Sequence, residues 1–147
     1  MVRPRRGRCR ACGVTHVLLP PSLLVRRADA VSVIGAGLER AARGAGFRSI
    51  AAETGVPAST VRRWLRRARV NAAAFAMLAT RWARRLDPSA VLAWAPAPAP
   101  VAVVVEAAGA LAAAAVRRAG TVVVAGPWAL ASTLTNGALL GPRLSGV

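Results

Sequence analysis

Phe47-Arg48-Ser49-Ile50-Ala51-Ala52-Glu53-Thr54-Gly55-Val56-Pro57-Ala58-Ser59-Thr60-Val61-Arg62-Arg63-Trp64-Leu65-Arg66 reads as two short helices joined by a glycine corner. Gly55 supplies the positive φ that a tight interhelical turn demands. Ala51 falls where two helices cross closely, and a larger side chain there would push them apart. Ile50, Val56, Val61 and Trp64 point into the wedge between the rods as its small core, and Leu65 is placed to pack on a preceding helix. The first rod runs from about Arg48 to Thr54. Pro57 belongs to the first turn of the second, which runs from about Ala58 to Arg69. Thr54 departs from the pattern, since a larger apolar residue is more usual at that site.

Working outward, Asp29 is a candidate N-cap for a preceding helix in which Val31, Ile34, Leu38 and Ala41 or Ala42 recur at helical spacing, with Gly44-Ala45-Gly46 ending the run. On the other side, Asn71 either caps a separate helix ending at Asp87-Pro88 or lies inside one long helix; periodicity leaves both open. Ala95-Pro96-Ala97-Pro98-Ala99-Pro100 reads as a semi-rigid extended linker. Val101 to Arg118 is helix-permissive and closes with Arg117-Arg118 and Gly120, where cations and a C′ glycine are favoured. A Val run follows, then a short helix opening at Pro127-Trp128 and a loose tail. No internal repeat is evident.

Three helices with this corner match a helix-turn-helix, whose second helix enters the major groove of DNA. On that expectation Ala58, Ser59, Thr60, Arg62 and Arg63 meet base edges. Arg62 and Arg63 would fork onto guanine, while Ser59 and Thr60 would bond a base or a phosphate. Arg48, Arg66, Arg67 and Arg69 are placed for phosphates and supply affinity without sequence choice. The plain alternative is an ordinary αα-hairpin with a solvated cationic face.

Charge supports the first reading. The 147 residues carry 21 basic and five acidic side chains, for a net charge of +16. Every basic residue is arginine, whose planar fork matches phosphate and guanine edges. Residues 1–85 hold eighteen of the arginines against three carboxylates, so the polyanion-facing part is the N-terminal half and the rest is a nearly neutral, Ala-rich helical appendage. With one His, no Tyr and five carboxylates, the means for acid–base catalysis are sparse, and the sequence reads as a non-enzyme. Asp29, Asp87, Glu39, Glu53 and Glu106 form no evident Asp/Asp/Glu cluster for two-metal strand transfer.

Cys9-x2-Cys12-Gly13 is a plausible metal knuckle, since two thiolates from one turn occupy two corners of a tetrahedron. A structural site needs four ligands, and His16, nearby on a predicted short strand, reads better as a strand histidine. Three options stay open: zinc held by Cys9, Cys12 and His16 with a ligand from a partner chain, a remnant of a ribbon whose first half is lost, or no metal at all. A thioredoxin-like redox role lacks its βαβ context.

Arg8-Cys9-Arg10-Ala11-Cys12-Gly13-Val14-Thr15-His16-Val17-Leu18-Leu19-Pro20, a helix opening at Arg26-Arg27-Ala28-Asp29, then Arg48-Ser49-Ile50-Ala51-Ala52 and Ser59-Thr60-Val61-Arg62-Arg63-Trp64-Leu65 resemble an uncharacterised bacterial family of zinc-ribbon plus helix-turn-helix proteins, similar to the DNA-binding part of insertion-sequence transposases. The likeness covers residues 8–70 and, less distinctly, Pro127 to Ser132. It implies that Cys9 and Cys12 are the second half of a four-cysteine ribbon, so that the chain reads as N-terminally shortened.

The expected architecture is all-α, a homeodomain-like three-helix unit preceded by a half zinc-ribbon hairpin and followed by Ala-rich helices. The expected domains are an incomplete zinc-ribbon arm (1–25), a helix-turn-helix DNA-binding domain (26–87), an Ala/Pro linker (88–100) and an Ala-rich helical region (101–147). The expected function is sequence-specific binding of double-stranded DNA, as a transcriptional regulator or a transposase-derived module. The expected localisation is cytoplasmic and nucleoid-associated, because Pro20-Pro21 interrupts any secretory apolar stretch. The competing reading is a membrane-associated or oligomerisation protein. Ala119 to Pro142 is uncharged over a span-like length, but Gly120, Gly126, Pro127, Asn136 and Gly137 make it a poor membrane helix. The Ala-rich half is compatible with a homodimer that addresses paired half-sites.

Overall fold

The computed structural model describes residues 5–18, 20–25, 28–90, 99–119, 126–142 and 144. It is mostly helical, with one small hairpin. In chain order the elements are β1 (Arg5–Arg8), β2 (Thr15–Leu18), α1 (Val31–Ala42), α2 (Phe47–Thr54), α3 (Ala58–Leu86), α4 (Pro100–Ala119) and α5 (Pro127–Leu134). β1 and β2 pair antiparallel, with Arg5 opposite Leu18 and Arg8 opposite Thr15.

α1 buries Val31, Ile34 and Leu38, the predicted stripe, together with Gly35 and Gly37. It starts two residues after the expected Asp29 cap. Ala30 is the N-cap residue and no side chain caps it; instead Val31 N–H donates to the Ser22 carbonyl at 2.8 Å. The loop before the helix thus satisfies a donor that the aspartate was expected to satisfy. At the other end, Gly44 and Ala45 N–H turn back onto the Ala41 and Arg40 carbonyls, which closes the helix in a Schellman arrangement.

α3 is continuous from Ala58 to Leu86, so the helix on either side of Asn71 is one rod, about 43 Å long at 1.5 Å per residue. Its buried stripe runs Val61, Trp64, Leu65, Ala68, Asn71, Ala72, Phe75, Ala79 and Ala83. Asn71 caps nothing. Its amide donates to the Leu139 carbonyl at 2.8 Å and the Gly141 carbonyl at 3.3 Å, and its oxygen accepts from Leu144 N–H at 3.2 Å. One buried polar side chain in mid-helix therefore anchors the C-terminal tail and leaves none of its groups unpaired there.

α4 buries Val101, Val104, Ala107, Ala108, Leu111 and Ala114 against α3 and α1. Asp87, just past the end of α3, receives Arg117 Nε at 2.5 Å from the last turn of α4. Helices packed along one another with their C-terminal ends tied together run in the same direction. The expected Ala/Pro linker falls largely on residues 91–98, outside the described residues, and Pro100 opens α4 instead of ending the linker. The Val run after Gly120 is likewise outside them.

α5 closes the fold. The Trp128 ring lies over Gly35, and its indole N–H donates to Glu39 at 2.7 Å. A Cβ at Gly35 would fall inside that ring. Ser132 Oγ donates to the Leu23 carbonyl at 3.0 Å, and Val25 N–H to the Gly137 carbonyl at 2.9 Å. One hydrophobic cluster consequently draws on Leu24, α1, α2, α3, α4, α5 and Leu139–Leu140, so the basic and Ala-rich segments share a core.

Gly35→Ala should cost about 1–3 kcal/mol through overpacking, read as a lowered urea midpoint; an unchanged midpoint would show that Trp128 moves aside freely. The Asp87 carboxyl is held below its ordinary range, first by the Ser89 hydroxyl and then by Arg117. Its contribution is present above the ordinary aspartate pKa and disappears as the pH falls through the lowered one. An NMR titration should place the Asp87 midpoint below the usual value of about 3.9, and a midpoint at or above that value would contradict the tie.

Candidate nucleic-acid interface

The site is built on the corner between α2 and α3. Gly55 adopts φ 69° in the left-handed region, and a Cβ there would meet nothing within 4 Å. The requirement for glycine is conformational, not steric. Ile50, Ala51, Val56, Val61 and Trp64 are all buried in the wedge, as their spacing predicts, and Leu65 joins them. Thr54, the departure from the pattern, turns its hydroxyl back onto the Ile50 carbonyl at 2.8 Å, so the polar side chain is satisfied within its own helix. On the far side of the wedge, Gly37 lets α1 approach Ile50 and Trp64 closely. The Trp64 indole N–H has no hydrogen-bond partner among the described residues.

This packing turns the opposite face of α3 outward. Phe47, Arg48, Ser59, Arg62, Arg63, Arg66 and Arg69 line one open depression along α2 and the first turns of α3. Ser59, Arg62, Arg63, Arg66 and Arg69 are exposed, whereas Ala58 and Thr60 are half-buried and do not line it. The Arg48 guanidinium lies 5.7 Å from the centre of the Phe47 ring. Arg67 is directed elsewhere, with Nη1 donating to the Pro142 carbonyl of the tail at 3.1 Å.

The carboxylates are mostly committed away from this face. Glu53 pairs with Arg40 across α1 and α2 and accepts from Ser49 Oγ at 3.4 Å. Glu39 holds Trp128 and Asp87 holds Arg117. Among the described residues no carboxylate is paired with Arg62, Arg63, Arg66 or Arg69. The depression is therefore a concentrated cationic surface with little internal neutralisation, suited to phosphate oxygens and base-edge acceptors.

The hairpin carries the second candidate site. Cys9 N–H donates to the Val14 carbonyl at 2.8 Å and Gly13 N–H to the Cys9 carbonyl at 3.0 Å, which folds the CxxC into a tight turn. Both cysteines are free. Backbone N–H of Cys12, its side chain and the N–H of Ala11 hold the Cys9 thiol below its ordinary pKa. His16 is exposed on β2 opposite Gly7. Among the described residues no three His, Cys, Asp or Glu side chains are grouped to hold a metal, so the zinc implied by the ribbon resemblance finds two of its four ligands here. The residues present do not fit a complete zinc site.

Two features escaped sequence reasoning. The Arg67 contact and the Asn71 clamp both depend on the tail returning to mid-α3. An asparagine at a core position of an otherwise Ala-rich stripe is the one signal that pointed there. No family model, curated protein or solved structure matches this chain.

Gly55→Ala should destabilise the fold by about 1–2 kcal/mol, the cost of a left-handed non-glycine residue, with no loss of helix content by circular dichroism. A neutral result in urea unfolding would mean that the corner does not depend on its glycine.

Proposed function

We propose that the chain is a sequence-specific double-stranded DNA-binding protein of the helix-turn-helix kind, with α2 and α3 as the paired helices and the first turns of α3 as the reader. The observation that carries the reading is the row Ser59, Arg62, Arg63, Arg66 and Arg69, exposed with Arg48 along one depression at the end of a helix that follows a left-handed glycine corner. Arg62 and Arg63 would fork onto guanine edges, with Ser59 beside them. Arg48, Arg66 and Arg69 would hold phosphates. Half-buried Ala58 and Thr60 are weaker base contacts, and Arg67, engaged by the tail, drops out of the phosphate set.

The reading assigns no catalytic role. It is the role of a transcriptional regulator or of a DNA-binding module derived from a transposase, the second supported by the resemblance of residues 8–70, and its place in the cell would be the nucleoid. A membrane role draws less support. Among the described residues α4 alone is long and apolar enough to cross a bilayer, but its Val101, Val104 and Leu111 are buried in the core shared with α1 and α3, while Val116 is exposed.

Fluorescence anisotropy on a duplex chosen by random-site selection tests the proposal. Arg62→Ala and Arg63→Ala should each cost about 1–3 kcal/mol of discrimination between the selected site and its mismatches. Arg69→Ala should weaken all sequences alike and reduce the slope of log K against log salt by about 0.9. Absence of duplex binding at low salt, or affinity insensitive to salt, would eliminate it.

A further inference from the structure

The outward face of α3 does not end where the reading face does. Twenty-two residues beyond Arg62, helical geometry returns Arg84 to within about 40° of the same direction and about 33 Å further along the rod. The reading face itself extends to Arg69, and beyond it the rod is uncharged from Val70 to Thr80, with Val70 59% and Met77 70% exposed, until Arg81. At the far end Arg81, Arg84 and Arg85 are exposed and share one depression with Met77 and Thr80, and the Arg85 guanidinium lies 5.2 Å from the Trp82 ring centre. Arg118 is exposed at the end of α4, which the Asp87 tie brings alongside. The carboxylate of Asp87 is spent on Ser89 and Arg117 and neutralises neither Arg84 nor Arg85.

This cluster cannot share a duplex contact with Arg62 and Arg63. A straight rod leaves a curved groove after a few turns, and the roughly 23 Å of rod between Arg69, the last arginine of the reading face, and Arg84 is nearly three Debye lengths at physiological ionic strength. The far end needs a ligand of its own. Guanidinium forks suit phosphate oxygens. A second copy would set arginines against arginines. The exposed apolar area, chiefly Met77 and Trp82 here, is small for anchoring in a bilayer.

We propose that Arg84 and Arg85 form a second nucleic-acid contact for the phosphates of a separate duplex segment, so that one chain bridges two stretches of DNA. The bridge rests on the reading of the α3 start given above. Once one duplex is bound there, neighbouring DNA is presented to the far end at high effective concentration.

The test uses the full chain on a bead-immobilised duplex, challenged with a second, fluorescent duplex. The wild type should retain the first and capture the second. Arg84→Ala with Arg85→Ala should keep affinity for a single duplex within about twofold and lose at least about tenfold in capture, as expected when distant phosphate contacts are deleted. Both positions are exposed, and circular dichroism checks the fold. Capture by the double variant equal to wild type would overturn the proposal. So would wild-type protein that saturates the first duplex and captures no second one, a result that leaves the α3-start reading intact. Failure to retain even the first duplex would remove both. Anionic vesicles are the control: binding to phosphatidylserine vesicles that the double variant loses, without capture of DNA, would reassign the cluster to lipid and overturn the bridge.

Discussion

The structure depends on one constraint, that α3 remains a single uninterrupted rod from the glycine corner to Asp87. One side of that rod is a continuous stripe of Val61, Trp64, Leu65, Ala68, Ala72, Phe75, Ala79 and Ala83, and nearly every other packed element leans on it. The stripe is bulkiest at Trp64 and Leu65 and beyond them is mostly Ala, with Phe75 the exception. Large side chains fill the wedge where three helices converge, and small ones allow the α4 backbone to approach closely where only two helices run side by side. Because the stripe consumes one side, the opposite side is left to the arginines. Packing thereby sets the direction in which the cations point, and the electrostatics of the surface follow from the core.

How much of this was legible in the sequence depended on whether the signal was local. The α2–α3 corner was readable because each special position has a steric reason of its own: Gly55 for its φ, Ala51 for the close crossing, Ile50, Val56 and Trp64 for the wedge. The start of α1 was misread at Asp29, since an N-cap preference is worth about 1 kcal/mol and a backbone donor–acceptor pair with Ser22 takes its place. The continuity of α3 through Asn71 was undecidable from spacing. A mid-helix asparagine reads as a break until the tail that it binds is known, and that tail is 68 residues away at Leu139.

The same limit applied to the relation between the two halves. Charge asymmetry separates a basic segment from a neutral one, and it was natural to expect the neutral one to be an appendage. Net charge, however, speaks to partners and solubility and not to which apolar faces meet. Gly35 and Trp128 are the particular residues that join the halves: a side chain absent from α1 makes room for an aromatic ring from α5, and Glu39 supplies the acceptor for its indole N–H. Neither residue announces the other, because the pairing spans 93 positions and has no periodicity.

A chain with +16 of net charge must still fold against its own repulsion. The few carboxylates placed in pairs show how it does so. Glu53 with Arg40 lies between α1 and α2, and Asp87 with Arg117 joins the ends of α3 and α4, so each ion pair ties two helices together. Exposed pairs of this kind contribute little individually, but their location has a second consequence. By holding the negative charge at helix junctions, the fold leaves Arg62, Arg63, Arg66 and Arg69 on the outer face of α3 with no carboxylate partner among the described residues. On the proposed reading, affinity for a polyanion would then be coupled to stability. Neutralising that face on binding would relieve the repulsion that the unbound fold has to overcome, and in physical terms the bound state would be the better-compensated one.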